Sequence, residues 1–120
     1  MVNTPAEIEK GMVKANIKLQ QAIEEIPELV HNKANAERDY EIALSHKILE
    51  LKTLGNPITI IPKLAAGDKV VSELKFQMNL ATELIKIQYA KLKSFDTAIN
   101  SYQSMHALRR IEYQKANYTG

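Results

Sequence analysis

The chain has 120 residues, no cysteine, no tryptophan and a formal net charge of +2. That length suits a single domain, the missing cysteines exclude a disulfide framework and a thiolate metal site, and so small a charge is no argument for a polyanion partner. Hydrophobic residues make up 45%, with only two Phe and five Tyr, so the core falls to Leu, Ile, Val, Met and Ala, a mixture that favours helix.

The charges are unevenly spread. Residues 1–50 hold six Lys/Arg against nine Asp/Glu, whereas residues 84–120 hold six against two. An antiparallel hairpin lays these unlike ends side by side, and their attraction explains the split without an outside partner.

At the start of the chain, Met1-Val2-Asn3-Thr4-Pro5-Ala6-Glu7 has neither the basic segment nor the apolar segment of a signal peptide. No apolar run approaches the roughly 20 residues that span a bilayer. The expectation is a cytoplasmic protein with no membrane partner, for which the Asn117-Tyr118-Thr119 sequon is chance.

Thr4-Pro5-Ala6-Glu7 reads as a helix start: Thr4 caps, Pro5 fits the first helical position and Glu7 closes a capping box. Ile8, Met12, Ala15, Leu19, Ala22, Ile26 and Leu29 then step by alternate fours and threes, an a/d seam. Pro27 falls inside it, where a proline removes a backbone bond and crowds the carbonyl of Ile23. Glu24-Glu25-Ile26-Pro27-Glu28 offers no turn residue, and the seam resumes at Ala36, Tyr40 and Ala43. A kinked continuous helix is therefore expected; residues 5–26 folding back as a third helix is the alternative.

The first arm, residues 5–54, ends at Gly55, with Asn56-Pro57 blocking continuation. The connector, residues 55–68, is apolar for a loop. Thr59 is expected to cap a helical turn over residues 60–66 that Gly67 stops. Ile58, Ile60, Ile61 and Leu64 are expected to close the hairpin as a lid, with a partner-binding tip as the other reading. Asp68 caps the second arm, residues 69–118, whose seam runs Val71, Leu74, Met78, Ala81, Ile85, Gln88, Leu92, Phe95, Ile99, Tyr102. The next seam positions, His106, Arg109 and Tyr113, predict a wetter end. Two arms of about 50 residues would each extend about 75 Å. The fold class expected is all-α: a long antiparallel two-helix hairpin in one domain, dimerising into a helical bundle.

That dimer rests on a second apolar face. Ile42 and Leu49 on the first arm, and Phe76, Leu80 and Ile87 on the second, point away from the seam. A two-helix hairpin leaves them in water, so a further helix layer is implied, most economically a second copy.

Motifs for chemistry are thin. Glu28 and His31 form one Glu-x-x-His pair, where a di-iron bundle needs two and further glutamates. Ser45 and His46 are adjacent and point apart on a helix; Ser94, Ser101 and Ser104 have only His106 nearby. No glycine-rich phosphate loop is present, so no enzyme, metal or cofactor is expected. A nucleic-acid surface has more behind it: Lys86, Lys91, Lys93, Arg109, Arg110 and Lys115 interleave with Tyr89, Tyr102, Tyr113 and Tyr118, the mix that single strands favour. The charges spread over about 30 residues, many facing the acidic first arm.

Beta-type prefoldin subunits share the length and the two arms, but they carry strands where this chain has a Pro/Gly-rich connector. Residues 36–44 (Ala-Glu-Arg-Asp-Tyr-Glu-Ile-Ala-Leu), 47–52 (Lys-Ile-Leu-Glu-Leu-Lys), Gly55-Asn56-Pro57-Ile58-Thr59 and Ala65-Ala66-Gly67-Asp68-Lys69-Val70-Val71 resemble small helical proteins from phages and prophages of Gram-positive bacteria. The resemblance covers about residues 34–90. It implies a phage or prophage origin, a host-cytoplasmic location and an accessory role, and brings no activity with it. The function expected is non-enzymatic protein–protein interaction that modulates a host or phage machine, with nucleic-acid binding as the alternative.

Overall fold

The computed structural model describes residues 4–119, with side chains through residue 116. The readings placed on Met1-Val2-Asn3 and on the side chains of Asn117, Tyr118 and Thr119 lie outside the described residues. Three helices succeed one another: α1 (Pro5–Thr53), α2 (Ile61–Ala66) and α3 (Lys69–Thr119). Helix accounts for 91% of the described residues, with no strand among them, and the fold class is an all-α helical hairpin.

Each helix end has a local cause. At the start of α1 the Thr4 N–H donates to Glu7 Oε2 and the Glu7 N–H donates to Thr4 Oγ1, both at 3.2 Å, which completes the capping box. The helix passes through Pro27 without a break. Residues 5–26 therefore continue the first arm, and no turn sets them apart as a third helix. At the other end Gly55 takes φ 85°. Its N–H reaches Lys52 O at 3.0 Å and the Asn56 N–H reaches Leu51 O at 3.2 Å. These are the two bonds of a Schellman stop, which needs the left-handed backbone that glycine allows. The start of α3 is capped by Asp68, whose Oδ2 accepts the Val70 and Val71 N–H groups at 3.1 Å. No proline or glycine interrupts α3 thereafter.

The chain packs as two compact units, one of residues 1–25 with 88–120 and the other of residues 26–87. In the first, Ile8, Ala15 and Ala22 of α1 and Gln88 and Ile99 of α3 are buried. Gly11 sits under Tyr102; a methyl group there would lie 2.5 Å from the tyrosine ring, so the residue must be glycine for the ring to lie where it does. Gln88 is the one buried polar residue among those described. It is 5% exposed, and its Nε2 donates to Ala22 O at 2.8 Å and to Glu25 Oε2 at 2.9 Å. Both donors of the amide are thereby used, which removes the penalty of burying them.

In the second unit Leu51, Ile61 and Ala65 form a cluster against which Leu44 and Ile48 pack. Here the buried side of α1 rotates from the Tyr40 and Ala43 seam to the Leu44, Ile48, Leu51 row, because α2 lies against that row. Two connector expectations are corrected. The residue before α2 is Ile60, with no side-chain cap, and Thr59 does not cap the helix; residues 58–60 already form a turn that leads into it. The lid is Ile61 with Ala65, while Ile58, Ile60 and Leu64 are exposed. A six-residue helix has one inward row, and positions 61 and 65 fill it.

Candidate interaction surface

The five residues read as a partner face, Ile42, Leu49, Phe76, Leu80 and Ile87, all fall in the second unit and all are exposed. Three of the five positions share a rule. Ile42 precedes the seam residue Ala43 by one, Leu80 precedes Ala81 and Ile87 precedes Gln88. One residue is a rotation of about 100°, so these side chains stand on one side of the seam, and Phe76 borders them. Antiparallel helices that share this offset present the offset positions on the same flank of the pair.

Val70 and Leu84 obey the same rule, before Val71 and Ile85, and are also exposed. The sequence reading missed them. The signal was available: 70, 73, 77, 80, 84 and 87 step by threes and fours, a second seam beside the first. Its two polar members satisfy each other, since Gln77 Nε2 donates to Glu73 Oε1 at 3.1 Å. On α1 the flank carries Ile42 and Leu49, and Leu49 continues into an open groove lined with His46, Glu50, Thr53 and Leu54.

The seven apolar residues of this flank are between 43% and 65% exposed. Nothing within their own unit covers them. The unit also carries eight Lys/Arg and eight Asp/Glu, so no net charge opposes association.

The basic residues of the C-terminal arm are placed differently. Lys91, Lys93, Arg110 and Lys115 are exposed, and Arg109 is half-buried with an ion pair to Glu112 at 3.8 Å. At 100° per residue, positions 91 and 109 share one direction around α3, 93 and 115 lie about 40° apart on the other side, and 110 stands between these two pairs; the set extends over about 36 Å of the axis. The fold does not gather them into one patch.

The polar residues singled out for chemistry have ordinary helix-surface partners. His31 Nε2 lies 3.0 Å from Asn35 Nδ2, and the Ser104 hydroxyl donates to Asn100 O at 3.0 Å. Glu50 pairs with Lys47 at 3.4 Å. Among the described residues no group of three or more His, Asp or Glu is placed to hold a metal ion, and no helix is long and apolar enough to cross a membrane.

Lys47 also meets Asp68 at 3.3 Å. The Asp68 carboxyl is held below its ordinary value, first by the Val71 N–H and then by Lys47, whose ammonium is in turn raised above its ordinary value, chiefly by its bond to Asp68. This couples α1 to the cap of α3.

Comparison of the chain with protein-family models, with curated proteins and with solved structures finds no match.

Proposed function

We propose that this is a non-enzymatic protein-interaction module that works as a homodimer, joined through the second seam of residues 26–87. The observation that carries the reading is that seam: seven large apolar side chains at helical spacing, on one flank, with no cover from their own unit. They offer on the order of 600 Å² of apolar surface per subunit, or roughly 15 kcal/mol at about 25 cal/mol per Å². Contributed by both copies across a two-fold axis, that exceeds an association cost of about 4–15 kcal/mol. The resemblance to small phage and prophage proteins supplies the setting, an accessory that modulates a host or phage machine in the cytoplasm.

Light scattering with sedimentation velocity tests this directly. The unmodified protein is expected to have the mass of a dimer at tens of micromolar, and Phe76→Ser with Leu80→Ser is expected to give a monomer of unchanged helix content. A monomeric unmodified protein at that concentration rules the reading out.

A further inference from the structure

The end of the second unit carries a further apolar surface, which meets the flank at the groove that Leu49 and Leu54 both line. Leu54, Ile58, Ile60 and Leu64 are exposed where α1 gives way to α2, and Ile58 reaches 78%. Three lysines are their near neighbours in the chain. Lys52, Lys63 and Lys69 are exposed and make no ion pair among the described residues, whereas the acids of this end, Glu50 and Asp68, are both held by Lys47. The end thus presents exposed aliphatic side chains together with lysines that have no carboxylate partner among the described residues.

We infer that this tip docks on the surface of an anionic lipid bilayer. A second copy placed tip to tip would set three lysines against three, which repels. The groove at this end takes in Leu54 but not Ile58, Ile60 or Leu64, so a peptide lying in it leaves those three uncovered. A bilayer accepts such an exposed apolar end, because acyl chains part around it while phosphates meet the lysines at the level of the headgroups. Apolar insertion and basic charge are the two signals that together give reversible membrane binding, each being marginal alone. No spanning helix is required. The inference shares no residue with the dimer seam and stands whether or not the protein dimerises.

Vesicle flotation is the test, using phosphatidylcholine with roughly 30% phosphatidylserine against pure phosphatidylcholine. The full chain is expected to float with the anionic vesicles only and to be released by high salt. Ile58→Ser with Leu54→Ser is expected to abolish flotation while circular dichroism stays unchanged. Lys52→Gln, Lys63→Gln and Lys69→Gln are each expected to weaken it about fivefold. Failure of the unmodified chain to float overturns the inference and leaves an acidic protein surface as the tip's occupant. Flotation that survives both sets of substitutions overturns it equally.

Discussion

The two units draw on the same pair of helices and the same seam, yet the flank beside that seam is almost wholly polar in the first and gains a row of large apolar residues, mostly on α3, in the second. In the first unit the positions one residue ahead of the seam are Glu7, Gly11, Lys14, Lys18, Gln21 and Glu25 on α1, and Lys91, Ser94, Ala98 and Ser101 on α3. In the second they are Glu28, Asn35, Asp39 and Ile42 on α1, and Val70, Glu73, Gln77, Leu80, Leu84 and Ile87 on α3, with Leu49 one heptad beyond Ile42. The first unit carries eight Lys/Arg against six Asp/Glu, the second eight against eight. A polar flank with net charge needs no neighbour, and an apolar flank with none calls for one. One helical hairpin can therefore carry two surface programmes, separated along the chain near Ile26 and Gln88.

The largest effect that would sharpen this comparison comes from Pro27, which stands where α1 enters the second unit. A proline inside a helix costs about 3 kcal/mol or more, through the bond it cannot donate and the carbonyl it crowds. Pro27→Ala is expected to raise stability by about 1–3 kcal/mol, read as a shift in the urea midpoint at constant slope. A fall in stability would mean that the fixed proline φ serves the fold at this position.

A smaller effect isolates the first unit. Alanine in place of glycine in a helix gains about 1 kcal/mol, but at Gly11 the new methyl group meets the Tyr102 ring. The gain is expected only when the ring is gone: Gly11→Ala should stabilise a Tyr102→Ala background by about 1 kcal/mol and fall short of that in the unmodified protein. The difference between the two is a coupling of about 0.5–3 kcal/mol, typical of residues in contact. Equal effects in both backgrounds would place Tyr102 elsewhere than against Gly11.

How much of this was legible in the sequence differs by element. The seam was readable in the first unit and along α3, because alternate threes and fours are a direct record of the buried side of a helix; Ile8, Ala15, Ala22, Val71 and Ile99 are all buried as expected, whereas the shift of α1 to the Leu44, Ile48, Leu51 row follows from its packing with α2. The connector was not. Apolarity alone predicted burial for Ile58, Ile60, Ile61 and Leu64, and only the spacing of Ile61 and Ala65 marked the row that turns inward. Gln88 could be placed in the seam, but its partners are an α1 carbonyl and Glu25, 66 and 63 residues away, and no local pattern carries such a pairing. Of the proposed surface, Ile42, Leu49, Phe76, Leu80 and Ile87 were read by opposition to the seam, while Val70 and Leu84 required reading a second seam of the same period.

The smallest expected effect concerns the Asp68 cap and its partner Lys47, both in the second unit. Asp68 lies below its ordinary value of 3.8 in the folded protein. Its charge therefore contributes stability above that pH and loses the contribution as pH falls through the lowered folded value. Lys47 lies above its ordinary value of 10.5, so its contribution is complete below that pH and is lost as pH rises through the raised folded value. Between about pH 5 and pH 9 neither group titrates. Asp68→Asn keeps a good N-cap residue but removes both the titration and the ion pair. The melting-temperature difference between the unmodified protein and this variant is expected to stay constant across that range and to shrink as the pH drops below 3.8. The other carboxylates are common to both proteins and cancel in the difference. If the two profiles run parallel into acid, Asp68 has no part in the pH dependence, and the pair with Lys47 contributes position without charge.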